Sequence, residues 1–127
     1  MGQRKILFRG KRVDNGEWVY GDLINNEGSV FIFISYGVKP NGFEYVKIGG
    51  ATVGYIVEVI PETVGQFTGI ADKNGIKIFE RDLLKGGIFL EYEVKWDSEQ
   101  GGWNITESAL NFYVIGNIHE NPELLHP

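Results

Sequence analysis

The stretch "DKNGIKIFERDLL", residues 72–84, combines an Asn-Gly turn signal, an aromatic residue and an aspartate followed by two leucines. A shorter version, "DNGEWVYGDLI", occupies residues 14–24. Asn-Gly is the strongest short-range signal for a β-hairpin, and aspartate often accepts backbone N–H bonds at a neighbouring corner. The distance from the Asn-Gly turn to the later aspartate differs by one residue between the two versions. We therefore interpret the pattern as a local way of joining strands, and we assign Asp22 and Asp82 a structural role.

Alternation with a period of two dominates the chain. The clearest case is "LEYEVKWD", residues 90–97, which separates an apolar side from a charged side as a half-buried strand requires. The loop "SEQGG" follows, and the apolar side resumes in "WNIT". We predict a hairpin here, with these side chains on its buried face: Leu90, Tyr92, Val94, Trp96, Trp103 and Ile105.

A second hairpin is predicted nearer the N-terminus. "EWVYGDLI" and "SVFIFISYGV", residues 17–24 and 29–38, flank the turn "NNEG". The later strand is nearly continuous in apolar residues, which favours burial on both faces or in an interface. Eighteen glycines and many aromatic residues suit short strands joined by tight turns, so the predicted fold is all-β. The tail "ENPELL" has Asn121 and Pro122 where a helix starts, which predicts a short helical turn.

Residues that commonly carry catalysis are scarce. The chain has no cysteine, which excludes disulfides, thiolate nucleophiles and zinc sites built on cysteine. His119 and His126 are the only histidines, and no serine lies in a Gly-x-Ser-x-Gly context. We therefore predict that the protein is not an enzyme and has no catalytic residues, cofactor or metal. The alternative is a carboxylate cluster for a hard cation or for acid–base chemistry, formed by Glu80, Asp82, Glu91 and Glu93.

The apolar runs of the sequence are short. The longest, Val30–Ile34, is far below the about 20 residues of a membrane span. The N-terminal run, Ile6–Phe8, is also shorter than the apolar region of a secretory signal. The sequence therefore predicts a soluble protein of the cytoplasm that does not contact a membrane.

Five of the twelve basic residues lie near the N-terminus, although the formal net charge is −5. A basic strand can contact a phosphate backbone even on an acidic protein, because affinity follows the local charge. The other interpretation is a solvated edge strand whose cationic side chains prevent edge-to-edge aggregation. Nucleic-acid binding is thus the alternative function, with these candidate contacts: Arg4, Lys5, Arg9, Lys11 and Arg12.

Two apolar segments favour contact with another protein molecule. "SVFIFISYGV" offers more apolar strand than a chain of this size easily covers, and the tail carries two adjacent leucines. Burial of both segments within the monomer is the competing interpretation. The preferred function is a non-enzymatic protein–protein interaction or self-assembly module, whose partner is another protein or a second copy of the chain. The candidate contacts are Phe31, Phe33, Tyr36, Leu124 and Leu125.

Four blocks of the sequence resemble one known family. They are "KILFRGKRVDNGEWVYGDLI", "VGQFTGIADKNGIKIFERDLL", "VKWDSEQGGWNI" and "VIGNIHENPELL". Their order and spacing are similar to those of the YopX family, small proteins of phages and prophages of Gram-positive bacteria. The resemblance implies a β-rich fold with an SH3-like C-terminal part, and it supplies no catalytic residues. Arg81 stands where the family usually has glycine, since "IFERDLL" replaces "IYEGDIV", so we expect a different backbone geometry at Arg81.

The observations and the resemblance together predict an all-β protein of two small intertwined lobes. Residues 1 to about 60 are expected to form an antiparallel β-sheet or partial barrel. Residues from about 61 to 127 are expected to form the SH3-like barrel, with a short helical turn at the C-terminus.

Overall fold

Strands account for nearly all of the regular structure. The computed structural model describes residues 5–86, 89–105 and 111–125. The strands in these residues are β1 (Phe8–Lys11), β2 (Trp18–Asn26), β3 (Ser29–Ile34), β4 (Glu44–Ile48), β5 (Ala51–Val59), β6 (Gly65–Ala71), β7 (Lys77–Phe79), β8 (Asp82–Gly86), β9 (Phe89–Glu93), β10 (Trp96–Asp97), β11 (Gly102–Trp103) and β12 (Tyr113–Asn117). Pro61–Thr63 and Pro122–Leu125 form 3₁₀ turns. The predicted all-β fold is confirmed, and the second 3₁₀ turn lies where a helical turn was predicted.

The chain divides into two compact units. The first unit is Ile6–Gly65, and the second contains Lys5 and the chain from Gln66 onward. In the first unit the described strands form an antiparallel sheet in the order β4-β5-β3-β2-β1. Glu27 and Gly28 join β2 to β3 with φ of 52° and 92°, the left-handed geometry that two-residue hairpin loops favour. The predicted N-terminal hairpin is therefore confirmed.

One side of the first sheet forms the core of its unit. Ile32 and Val59 are fully buried there, and Val30 is nearly so. The apolar side chains that pack against these three are Phe8, Val19, Leu23 and Val64. The two phenylalanines of β3 alternate with this buried set and are half-buried, because successive side chains of a strand point to opposite faces. The run "VFIFI" thus divides between a core side and a partly exposed side.

The second unit is built from three smaller groups of strands. β6 and β7 form a hairpin around the predicted Asn74-Gly75 turn, in which Gly75 has a φ of 81°. β8 lies between β12 and β9 in a three-stranded sheet, and β10 pairs with β11. The buried cluster consists of Ile78, Leu84, Val94 and Phe112. Closure of these strands into an SH3-like barrel stays a prediction.

Trp96 does not lie on the buried face that its alternation with Val94 predicted. Val94 is fully buried, whereas Trp96 keeps 52% of its surface exposed. The reason is that β9 ends at Glu93, and Trp96 belongs to a separate two-stranded ladder, in which it pairs with Trp103. The predicted hairpin exists, but the interruption breaks the single face on which the alternation depended. The side chain of Leu90 lies outside the described residues.

Asp82 closes the corner at the end of the "DKNGIKIFERDLL" stretch. Its carboxylate is 2% exposed, and its Oδ2 accepts the backbone N–H of Phe79 at 2.8 Å. This contact confirms the predicted structural role of Asp82. Asp22, from the shorter version of the pattern, instead lies within β2 and is exposed. The two aspartates share a sequence context but have different surroundings.

The backbone conformation of Arg81 shows that our expectation was wrong. We expected a geometry different from that of the family's glycine, but Arg81 has a φ that glycine favours. Its φ is 75°, in the left-handed region that favours glycine. Its backbone N–H donates to the Val94 carbonyl at 2.8 Å, and its carbonyl accepts the Ile118 N–H at 3.0 Å. The guanidinium Nε lies 2.8 Å from a carboxylate oxygen of Glu93. The neighbouring strands thus hold the backbone of Arg81 in a strained conformation.

Replacing Arg81 should reveal this strain. Arg81→Gly and Arg81→Ala both remove the ion pair with Glu93, but only glycine relieves the left-handed backbone. We expect the glycine variant to have the higher free energy of unfolding, by about 1 kcal/mol. Urea denaturation of the two variants measures the difference directly. An alanine variant as stable as the glycine variant would show that the backbone at this corner is not strained.

Candidate protein-interaction surface

The half-buried side of the first sheet carries an apolar row. Directly paired residues of neighbouring strands lie on the same side of a sheet. Phe31 is opposite Ile24 of β2, and Phe33 is opposite Ile56 of β5. Ile24 is 40% exposed, and the other three side chains are half-buried. We call these four residues, Ile24, Phe31, Phe33 and Ile56, the phenylalanine face.

Gly54 allows Phe33 to lie close to the backbone of β5. A Cβ atom at Gly54 would overlap two ring carbons of Phe33. Glycine is therefore needed here for space rather than for an unusual φ. The ring of Phe33 is held against the sheet, so this part of the phenylalanine face is fixed before any partner arrives.

A groove of about 220 Å³ lies at one end of the phenylalanine face. Phe31 and Ile56 form its apolar part. Glu44 and Glu58 contribute exposed carboxylates, and neither pairs with a cation among the residues that the structure describes. Asp22 adds a third exposed acidic residue to the same side, opposite Phe33. An apolar centre with an acidic rim is the result.

Arg12 and Asp14 support the wall of this groove. The Arg12 guanidinium donates to both carboxylate oxygens of Asp14, at 2.9 and 2.8 Å, and to the Asn41 carbonyl at 2.8 Å. The hydrogen bond with Asp14 raises the pKa of Arg12 and holds the pKa of Asp14 below its usual value. Arg12 also lies over the Phe43 ring, 5.2 Å from its centroid. A Cβ atom at Gly42, whose φ is 84°, would overlap the guanidinium.

The basic residues near the N-terminus do not form one exposed row. Arg9 and Arg12 are both only 7% exposed, and Arg9 lies 4.6 Å from the ring centroid of Trp18. Lys11 is half-buried, Lys5 is exposed in the second unit, and Arg4 lies outside the described residues. Two of the five candidate phosphate contacts are therefore inaccessible. Nucleic-acid binding stays a prediction, which this burial disfavours.

The other predicted partner contacts lie away from the phenylalanine face along the chain. Tyr36 follows the end of β3 and is 75% exposed. Leu124 and Leu125 are half-buried in the 3₁₀ turn of the second unit. Sequence reasoning found the two phenylalanines but missed Ile56 and Glu58. Only the pairing of β3 with β5 reveals these two, because they are more than twenty residues away in the chain.

The carboxylates proposed as an alternative reactive cluster have protein partners. Glu93 lies 2.8 Å from Arg81 and 3.8 Å from Lys95, and Glu91 lies 3.5 Å from Lys85. Within residues 5–86, 89–105 and 111–125, no group of three or more His, Cys, Asp or Glu side chains is arranged to hold a metal ion. Glu91 and Glu93 therefore act in ion pairs, and Asp82 closes a corner of the fold.

Comparison with known proteins identifies the family. The model of the YopX protein family matches residues 7–126. The chain belongs to the YopX family. The fold is also similar to the crystal structure of protein EF1440 from Enterococcus faecalis, with a TM-score of 0.60 and 23% identity over 98% of this chain and 100% of that chain. At this identity the likeness concerns the fold alone.

No curated protein matches the chain. In the part of the chain that the structure describes, none of the helical segments is long and apolar enough to cross a membrane. The YopX assignment therefore rests on the family model and on the four sequence blocks.

Proposed function

We propose that this protein is a non-enzymatic binding module whose phenylalanine face docks an apolar segment of a partner protein. The partner segment carries lysine or arginine beside its apolar residues. On the family resemblance alone, we also propose that the protein has a phage or prophage origin and acts in the cytoplasm of a bacterial host. The observation that carries the binding function is the apolar row bordered by carboxylates.

The composition of the phenylalanine face supports a protein partner. Specific interfaces combine an apolar centre with a polar rim, and aromatic residues are enriched at their centres. Phe31 and Ile56 provide such a centre, and Glu44 and Glu58 provide the rim. These carboxylates have no described cationic partner, and the chain has a net charge of −5. A basic flank on the partner would complement this charge and speed association.

The same charges disfavour symmetric self-association through this face. A two-fold interface places the same patch of both subunits together. The acidic rims of two copies would then face each other across an apolar contact, which is unfavourable. Light scattering across a range of protein concentrations tests this point. If the dimer fraction increases with protein concentration and Phe31→Ala abolishes the dimer, the partner is a second copy of the chain.

The proposal predicts that binding depends on Phe31. Affinity purification from cells, followed by titration of each recombinant candidate partner, should yield a partner that binds Phe31→Ala about thirtyfold more weakly than wild type. Tyr45→Ala is the matched control, because it removes an aromatic side chain that is 57% exposed on the opposite side of the sheet from Glu44. Titration calorimetry measures both variants. A partner that binds Phe31→Ala and Ile56→Ala as tightly as it binds wild type would contradict docking at this face.

The acidic rim provides a second readout of the same experiment. Exchanging Glu44 and Glu58 for glutamine removes two carboxylates without changing the apolar row. The double variant should bind more weakly at low salt and approach wild type at high salt, because salt screens exposed charges. Affinity that does not respond to salt or to these exchanges would rule out a basic flank on the partner.

A further inference from the structure

The hairpin formed by β10 and β11 presents a pair of tryptophans. The rings of Trp96 and Trp103 meet edge to face, with centroids 5.2 Å apart and an angle of 86° between their planes. Trp103 is half-buried and packs against the core cluster of its unit, whereas Trp96 is 52% exposed. The perpendicular arrangement forms a notch in which a supported Trp96 ring is available to a ligand.

A groove of about 260 Å³ borders this notch, and none of the described residues that line it carries a carboxylate. Gly69 and Gly101 line it, and a Cβ atom at either would meet nothing within 4 Å, so the groove stays open above them. Thr68 also lines it, but its hydroxyl already donates to the Ile78 carbonyl at 2.8 Å and accepts the Ile70 N–H at 3.2 Å. The Gln66 side chain makes no hydrogen bond among the described residues, so its amide can donate to a ligand.

A second hollow, which Trp96 also lines, is acidic. Asp97 and Glu99 line it together with Lys95. The ammonium group of Lys95 is 3.8 Å from Glu93, outside this hollow, and is partly neutralised there. Trp96 therefore lines two depressions of different charge: a groove whose one charged residue among those described is Lys5, and a hollow with two carboxylates.

We propose that the Trp96 notch binds a proline-containing extended segment of a protein, with arginine or lysine next to the proline. A proline ring packs on an exposed aromatic face, and proline-rich segments dock in aromatic-lined grooves because they are already extended. Proline has no N–H, so a proline segment needs no hydrogen-bond acceptor from the groove. The Gln66 amide is available to donate to a carbonyl group of the segment. The basic neighbour would lie toward Asp97 and Glu99.

Two other ligand classes fit the Trp96 notch less well. Single-stranded nucleic acid stacks on aromatic rings but also requires a positively charged groove. Among the described residues that line the groove, Lys5 is the one cation, and the adjoining hollow contains two carboxylates. A sugar would require several polar groups around the ring, whereas the Thr68 hydroxyl is already engaged within the protein. A proline segment needs the fewest polar partners.

The test uses isotope-labelled protein and a peptide of ten prolines with two arginines at one end. Titration should produce saturable shifts of the indole N–H signals of Trp96 and Trp103, and a peptide with alanine at every proline position should produce none. Trp96→Ala should raise the dissociation constant about thirtyfold, and Gln66→Ala should raise it by a smaller factor. Tyr45→Ala, at a side chain that is 57% exposed in the first unit, should leave peptide binding unchanged.

The results distinguish the Trp96 notch from the phenylalanine face. They also distinguish a proline segment from the other two ligand classes. A folded Trp96→Ala variant, judged by its amide spectrum, that binds the proline peptide like wild type would overturn the proposal. So would an absence of indole shifts at millimolar peptide, or an equal response to the alanine peptide. Larger indole shifts with a ten-residue oligothymidylate or with a cello-oligosaccharide than with the proline peptide would assign the notch to that ligand class instead. None of these outcomes bears on binding at Phe31.

Discussion

Asp72→Ala should lower the free energy of unfolding by about 3–5 kcal/mol. Asp72 is 6% exposed, and its carboxylate accepts three backbone N–H groups. Oδ1 accepts those of Asn74 and Ile76 at 2.8 and 2.9 Å, and Oδ2 accepts that of Val114 at 2.9 Å. Alanine would leave these donors without their acceptor in a partly buried corner. Urea denaturation at neutral pH measures the loss.

Asp72→Asn is the control for this experiment. Asparagine keeps one oxygen acceptor and nearly the same volume, so it can satisfy the turn or the Val114 N–H but not both oxygen positions. We expect a loss about half as large as that of the alanine variant. An Asp72→Asn variant as stable as wild type would mean that packing, rather than hydrogen bonding, is what Asp72 contributes.

The pH dependence of stability tests the same carboxylate. Burial raises the pKa of Asp72, but the N–H donors of Val114, Ile76 and Asn74 outweigh it and leave the pKa below its usual value. A carboxylate whose pKa is lower in the folded state stabilises the fold above the unfolded-state pKa of about 3.9. That stabilisation disappears as the pH falls through the folded-state pKa. The stability gap between wild type and Asp72→Ala should stay constant above about pH 5 and narrow below about pH 4.

Local patterns predicted the turns and one of the two corner aspartates. Asn74 and Gly75 form the turn that their dipeptide predicts, and Asp82 accepts the N–H of Phe79, only three residues away. The interactions of Asp72 were not predictable in the same way, because one of its donors, Val114, is 42 residues along the chain. Propensity and spacing report on neighbours in sequence, so contacts closed by distant strands were missed.

The arginines show the same limit. The sequence around Arg12 indicates a basic strand, but the residue is buried because its guanidinium reaches Asn41, 29 residues away, and lies over Phe43. The prediction for Arg81 was wrong for a different reason, because it assumed that only glycine tolerates a φ of 75°. The bonds to Val94 and Ile118 hold that conformation in spite of the side chain. The tertiary structure overrides a local preference of about 1 kcal/mol.

Ile32→Ala should lower the free energy of unfolding by about 3 kcal/mol, whereas Phe31→Ala should lower it by about 1 kcal/mol. The two residues are adjacent in β3 but point to opposite sides of the sheet. Ile32 is fully buried, opposite Leu23 and Val57, so its truncation leaves a cavity in the core. Phe31 is half-buried on the phenylalanine face, where water or neighbouring side chains can replace the lost ring.

Partner binding should show the reverse order of effects, with Phe31→Ala weakening it more than Ile32→Ala. Ile32→Ala, examined below its unfolding temperature, keeps the phenylalanine face and should retain the partner, whereas Phe31→Ala stays folded and should lose it. Thermal denaturation and titration calorimetry on the same samples separate the two effects. A loss of stability at Phe31 as large as that at Ile32 would mean that the ring belongs to the core. In that case the apolar row would serve folding, and a docking surface would have to lie elsewhere on the chain.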